Sequence, residues 1–333
     1  MASGRPGMNR MLIVIGAIVV IAILAVALPR FGRKPDVTRI GIMQIAEHPA
    51  LDASRDGFIK RLAELGFEEG ENTEFSIQNA QGDMAVAQSI AEKFVSEKVD
   101  MILAIATPTA QAAANATKDI PILITAVTDP VAAGLANSIE RPGTNCTGTS
   151  DLTPVKSQLE LLKRICPEVE SVGVLYNAGE TNSLVQVDIA RESAEILGVQ
   201  LVEVTVSASS GVYEAAQSLV GRVDAIYVPT DNTVVSALES VIKVGEDFKI
   251  PVIVGEVDGV RRGALATIGI DYYALGMQTA DIAARILKGE AKPNDTPIEY
   301  PEDIQIALNM SAAERMGAEI PEDLIDDAYE VIR

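Results

Sequence analysis

Residues 120–136 read I-P-I-L-I-T-A-V-T-D-P-V-A-A-G-L-A, and the pattern returns at residues 250–266 as I-P-V-I-V-G-E-V-D-G-V-R-R-G-A-L-A. Both copies open on Ile-Pro, run through β-type apolar residues to an acid and a valine, and close on Gly-Leu-Ala or Gly-Ala-Leu-Ala. Two more pairs keep step with them. V-D-M-I-L-A-I-A-T-P at 99–108 is matched by V-D-A-I-Y-V-P-T-D at 223–231, and T-R-I-G-I-M-Q at 38–44 by E-S-V-G-V-L-Y-N at 170–177. The offset is roughly 125 to 135 residues, too long for a solenoid repeat and suited to two copies of one α/β domain. Two similar lobes imply a cleft between them.

Around the repeats, short apolar runs alternate with amphipathic stretches, the pattern of parallel α/β units. The first lobe is expected to hold strands at 39–45, 73–78, 101–106 and 122–126, with helices at 52–65 and 84–96. Thr107-Pro108 opens a third helix, with Thr as N-cap and Pro at the first helical position, and Asp129-Pro130 repeats that logic. Residues 141–151 read as a crossing to the second lobe, followed by a helix from Thr153-Pro154 to Ile165. Strands then fall at 171–176, 200–205, 225–229, 252–255, 264–270 and 303–309, with helices at 184–197, 212–220, 233–248 and 274–287. The polar tail 311–333 is read as helical.

Composition narrows the function. With 48% hydrophobic and 22% charged residues there is material for two ordinary cores. A formal charge of −20 opposes a nucleic-acid partner, whose phosphates demand a basic surface. Cys146 and Cys166 are too few for a disulfide scaffold; small buried apolar groups are the expected role, a bridge between them the other. A single histidine, His48, leaves little scope for a metal site or a Ser-His-Asp triad.

Residues 11–28 carry no charge and follow Arg5 and Arg10, as in a signal peptide or a short spanning helix. Ala25-Val26-Ala27 offers a small-x-small cleavage site, while Arg30, Arg33 and Lys34 blunt the orienting charge bias. We read residues 1–36 as a membrane-targeting segment, a hydrophobic helix either cleaved or kept as a single-pass anchor.

Ligands of open parallel sheets sit beyond the carboxyl ends of the strands. That rule selects Gln44, Glu47 and His48, then Thr107, Thr109, Thr128 and Asp129, from the first lobe. From the second it selects Tyr176, Asn177, Thr230, Asp231, Asn232 and Glu256, with Ser150 and Asp151 at the crossing. Hydroxyls and helix starts suit a carboxylate, and Asp129, Asp231 and Glu256 suit an ammonium; together they fit a zwitterion such as an amino acid. Taken singly, Thr, Asp and Asn before helices are first of all caps, so the argument rests on both lobes supplying them. No G-x-G-x-x-G, Walker loop, H-E-x-x-H, C-x-x-C or G-x-S-x-G occurs, so no catalytic residue, cofactor or metal is expected.

The motifs I-G-I-M-Q-I-A-E-H-P-A-L-D-A-S-R-D-G-F, T-P-T-A-Q-A, T-A-V-T-D-P-V-A-A-G-L, T-G-T-S-D and P-T-D-N-T-V, with G-E-V-D-G-V-R-R-G-A-L-A-T-I-G-I-D-Y-Y, cover nearly all of 38–321. This chain resembles the substrate-binding proteins of ABC importers, in the group that includes tryptophan- and tyrosine-binding members. The resemblance implies the type I periplasmic-binding-protein fold: two Rossmann-like α/β lobes with parallel sheets, three crossovers, and hinge closure on a small ligand. It implies delivery to an ABC permease and its ATPase at the periplasmic or extracellular face of the cell membrane. It places the lobes at 37–148 plus 273–300 and at 149–272 plus 301–333. Thr107, Thr109 and Thr128 would hold a carboxylate, Asp231 an ammonium, Gln44 and His48 match the first motif, and Ser150 matches the hinge motif. The lipid-modified Cys that the family often carries after the signal is absent. Two alternatives stand beside this reading: a cofactor-independent amino-acid racemase, needing a thiol in each lobe across the cleft, and a membrane-anchored sensory module.

Overall fold

The computed structural model describes residues 37–301 and 303–333; the expected targeting segment at 1–36 lies outside them. Among the described residues no helix is long and apolar enough to cross a membrane.

The chain enters as β1 (Thr38–Gln44), α1 (Pro49–Glu64), β2 (Thr73–Asn79), α2 (Met84–Glu97), β3 (Met101–Ile105), α3 (Thr107–Ala116), β4 (Ile122–Val127) and β5 (Cys146–Ser150). These strands form a five-stranded parallel sheet in the order β2-β1-β3-β4-β5. β3 and β4 are buried along their whole length, as uninterrupted apolar runs covered on both faces should be. Residues 146–150, expected within a crossing, instead complete this sheet. Thr147 and Thr149 turn their hydroxyls onto Thr296 O and the Thr279 hydroxyl, so a polar-looking strand is satisfied inside the lobe.

After the first crossing come α4 (Val155–Ile165), β6 (Ser171–Tyr176), α5 (Thr181–Leu197), β7 (Gln200–Thr205), α6 (Val212–Gln217), β8 (Ala225–Val228), α7 (Asn232–Val235), α8 (Leu238–Phe248), β9 (Val252–Val254), α9 (Val257–Arg261) and β10 (Ala266–Gly269). The chain recrosses into α10 (Tyr272–Leu287) and returns through β11 (Gln305–Asn309), α11 (Met310–Met316), α12 (Glu322–Asp327) and β12 (Glu330–Ile332). The second sheet has seven strands, β12-β11-β10-β9-β8-β6-β7. Its β7-β6-β8-β9-β10 portion repeats the strand order of the first sheet, and the two Ile-Pro stretches become β4 and β9 at equivalent places.

Three further expectations change. β11 pairs antiparallel with β10, because it enters from the opposite direction after the last crossing, so the second sheet is not wholly parallel. The helix expected at 233–248 is broken into α7 and α8 at Ala237, whose backbone (φ −125°, ψ 29°) leaves the helical region. The tail is two short helices plus the edge strand β12, not one helix.

Two hydrophobic cores result, one around β1, β3, β4 and α10, the other around β6, β8, β9, α4 and α8. α10 follows a second-lobe strand yet packs on α1 of the first lobe. Gly57 and Gly276 make the crossing possible: a Cβ there would stand 2.1 Å from Tyr273 O and 1.9 Å from Ser54 O. Asp271 caps α10 through the Tyr273 and Ala274 N–H groups, which draws Tyr272 into the first core.

Candidate ligand-binding cleft

The carboxyl ends of β1, β3 and β4 carry Gln44, His48, Thr107 and Thr128, and those of β6, β8 and β9 carry Asn177, Asp231 and Glu256. The groups divide sharply by whether their hydrogen-bonding capacity is already filled.

Several atoms are buried with no protein partner: Gln44 Oε1, both ring nitrogens of His48, Thr107 Oγ1, Thr153 Oγ1, both carboxylate oxygens of Glu256, and Arg262 Nη1. Orphaned buried polar atoms are rare in folded proteins, and a concentration of them at strand ends calls for a missing partner. Gln44 is steered by its own amide, whose Nε2 donates to Ala46 O and Asp52 Oδ1, leaving the oxygen unclaimed. His48 precedes α1 without capping it. Burial, then the nearby Arg262 charge, lowers its pKa to about 3, so the ring is neutral; the Asn232 side chain approaches it without completing a hydrogen bond.

Thr107 is not the N-cap of α3. Ala106 takes that place at φ 81°, ψ 154°, a conformation that costs a non-glycine residue of order 1–3 kcal/mol. The Ala106 N–H bond to Thr125 O and the Thr109 hydroxyl bonds to Ile105 O and Ala106 O hold it there. The consequence is a Thr107 hydroxyl and a first helical turn presented to the cleft. Thr109, by contrast, is fully engaged in holding the strand-to-helix turn.

Glu256 precedes α9 and faces the Asp258 and Gly259 N–H groups without closing a cap bond. Burial, then the Asp258 charge, pushes its pKa up to about 7, against the pull of those N–H groups and of Arg262. Arg262 is fixed by a two-pronged pair to Glu239, which leaves its remaining nitrogen free.

Other expected contacts are engaged inside the protein. Asp231 caps α7 through Val234 N–H and accepts from Asn177 N–H and the Ser183 hydroxyl at 2.6 Å each. Burial, then Glu180, raises its pKa to about 7. Glu180 collects Asn232 N–H, the Asn232 amide, Thr233 N–H and the Thr233 hydroxyl. Thr230 is gripped by both ends of the Gln186 amide, and Asn177 bonds Thr233 and Gly179. The Tyr176 hydroxyl donates to Glu203, beside Arg191. Asp129 is half-buried and caps only a turn through Val131 and Ala132 N–H, not the expected helix.

At the hinge side, Asp151 accepts from the Thr128 hydroxyl at 3.0 Å and the Tyr272 hydroxyl at 2.6 Å, while Ser150 donates to Thr128 O. Burial raises the Asp151 pKa against those two hydroxyls. A register shift between Ile124 and Val127, with Ala126 at φ 55°, aims Thr128 at this knot. Sequence reasoning did not select Glu180, Arg262 or Tyr272, and read Thr153 only as the start of a helix. No local pattern marks them, since their partners lie far away in the chain.

At the outer end of the cleft a groove of about 570 Å³ lies between the lobes, lined by Ile45, Met84 and Gln111 on one side and Asn177, Glu180 and Asn232 on the other. The lobes touch beside it, where Gln111 Nε2 donates to Ala133 O and to the Thr181 hydroxyl across the gap at 3.4 Å.

Two repeated α/β lobes, three crossings and a polar cleft between facing strand ends define a type I periplasmic-binding-protein fold. The family model described as ABC transporter substrate binding protein matches residues 39–332, and the chain belongs to that family. A protein named tyrosine-binding protein from Clostridioides difficile (strain R20291) is 48% identical over 81% of this chain and 78% of its own length. A Streptococcus pneumonia ABC domain solved in complex with L-Trp is 34% identical, overlays with a TM-score of 0.86, and covers 89% of this chain and 100% of its own. The ligand-free, open structure of a Clostridium difficile substrate-binding protein with adhesive properties is 49% identical, with coverage of 89% and 99%, but its TM-score is only 0.67. Sequence is closer to the open form, and overall shape to the L-Trp complex.

The racemase alternative loses its chemistry. Cys146 lies in the first core with its pKa raised to about 11 by burial, and Cys166 ends α4; both are free thiols, and neither is at the cleft.

Proposed function

We propose that this protein captures a free aromatic amino acid between its two lobes, with the first boundary after β5 at residue 150 and not at 148, and presents it to the permease of an ABC importer driven by a separate ATPase. The reading places it at the extracytoplasmic face of the membrane, with residues 11–28 as its targeting segment or anchor and no chemical step performed.

The observation that carries this is the set of buried, unpartnered polar atoms contributed by both lobes. Their chemistry matches a zwitterion. Glu256 accepts the ammonium, since an ammonium enclosed without a charged partner is strongly unfavourable. Thr107 and the first-turn N–H groups of α3 receive the carboxylate, with the free Arg262 nitrogen adding positive charge at the opposite wall. Gln44 and His48 complete the enclosure as neutral contacts. Asp231, Asn177, Thr230, Asn232 and Thr109 build the walls in this reading, and Thr128, Ser150 and Asp151 build the hinge. The tyrosine-binding name of one relative and the L-Trp bound to another support an aromatic side chain.

Thermal-shift and calorimetric screening against the twenty amino acids tests it. Tyrosine or tryptophan should raise the melting temperature by mass action. Stabilisation by sugars and by no amino acid would refute the reading.

A further inference from the structure

The groove raises a separate question, because none of its lining residues carries one of the orphaned cleft atoms. It adjoins the buried cluster at Ala46, between Gln44 and His48, and at Asn232, which approaches His48. Its volume is not the product of parted lobes. Gln111 and Thr181 already meet on its rim, and the chain overlays on a ligand complex better than on an open form.

The walls keep the space by being built from small residues: Ala46, Gly82, Gly179, Ser207, Ala208 and Ser209. Ile45, Met84 and Pro108 give one side an apolar floor, and amides and hydroxyls supply the rest. Its charges are acidic, the exposed Glu47 and the buried Glu180, and no described residue lining it is a lysine or arginine. At about 570 Å³ the groove lies within the roughly 300–1,000 Å³ range of pockets for drug-sized molecules, well beyond the needs of one aromatic ring.

We infer that this groove is the side-chain subsite, and that it makes the protein tolerant of ring size and substitution while rejecting side chains that carry negative charge. The inference rests on the zwitterion being held at the buried cluster. With the amino and carboxylate groups fixed there, the side chain is the part of the ligand that leaves through Ala46 and Asn232. The ligand class is then α-amino acids with large apolar or neutral polar side chains. An anionic substituent would meet Glu47 and Glu180 with no cation to pair it.

Calorimetry on the full chain with tyrosine, tryptophan, p-benzoylphenylalanine and O-phosphotyrosine tests this. Tyrosine and p-benzoylphenylalanine should bind within roughly tenfold of each other, and O-phosphotyrosine at least about a hundredfold more weakly than tyrosine. Ala208→Trp, at an exposed wall position, should lower the p-benzoylphenylalanine-to-tyrosine affinity ratio by about tenfold or more, and Glu47→Lys should recover part of the phosphotyrosine binding. Should Ala208→Trp disturb the fold by circular dichroism, Ser209→Phe fills the same wall. Tyrosine binding with p-benzoylphenylalanine excluded, or an unchanged ratio in the filled variants, overturns the inference and leaves the amino-acid reading standing. Failure of both tyrosine and tryptophan to bind overturns that reading and the inference with it.

Discussion

Glu256→Gln separates ligand binding from stability. The side chain is buried, neither oxygen has a partner, and its pKa is raised to about 7. A ligand ammonium binds the ionised form, so below pH 7 each unit of acidification adds about 1.4 kcal/mol to remove the proton, or roughly tenfold in affinity. Affinity should therefore rise with pH up to about 7 and then level off, with proton release on binding below that point. Glutamine keeps the shape and removes the charge. It should weaken binding at pH 8 by roughly 2–5 kcal/mol, the range for breaking a desolvated charge pair, and flatten the profile. Stability moves the other way. A carboxyl whose folded pKa lies above its ordinary 4.5 destabilises the ligand-free protein once pH exceeds that value, and the penalty is complete above about 7. The variant should consequently be more stable than the parent at pH 8 without ligand, by up to roughly 3 kcal/mol. Calorimetric titration at pH 5 to 8 in buffers of different ionisation enthalpy, with thermal melts alongside, reads both effects. Identical pH profiles in parent and variant would refute the role of Glu256, whatever the change in overall affinity.

Asp231→Ala removes the acceptor for Val234 N–H, Asn177 N–H and the Ser183 hydroxyl, so it should cost about 3 kcal/mol in chemical denaturation. Gln111→Ala loses the contact to Thr181 across the lobes and the bond to Ala133 O; affinity should fall by roughly 0.5–1.5 kcal/mol, and scattering should show a larger radius of gyration at subsaturating ligand. Tyr272→Phe takes a hydroxyl from buried Asp151, and a loss of about 1–3 kcal/mol is expected in chemical denaturation. Gly276→Val drives a side chain into Ser54 O, and a loss of about 3 kcal/mol in denaturation would confirm that α10 needs this close approach.

The repeat legible at 120–136 and 250–266 carried the architecture because strand order follows from apolar periodicity and short connections. It could not reveal that β5 is hidden in C-T-G-T-S, a stretch with turn-like composition. Its burial depends on Thr279 and Thr296, more than a hundred residues away. Nor could it reveal the antiparallel β11, which depends on where the last crossing enters the sheet and not on the residues of the strand.

The cleft shows the same limit at finer grain. Asp231 and Glu256 are alike in sequence: each is an acid just beyond a strand, ahead of a helix, at a place suited to a cap or a ligand. What divides them is distant. Ser183 and the Asn177 N–H, contributed from around β6, fill Asp231, and Glu180 loads the same helix start with a second carboxylate. Glu256 has no such neighbours; the backbone at Gly255 and Gly269 packs tightly beneath it, and its carboxylate stays unmet inside the protein. An acid whose bonds are complete is held by the fold, and altering it changes stability first. A buried acid whose bonds are missing destabilises the fold until a partner arrives, and a cationic ligand group entering between the lobes is the partner its position admits.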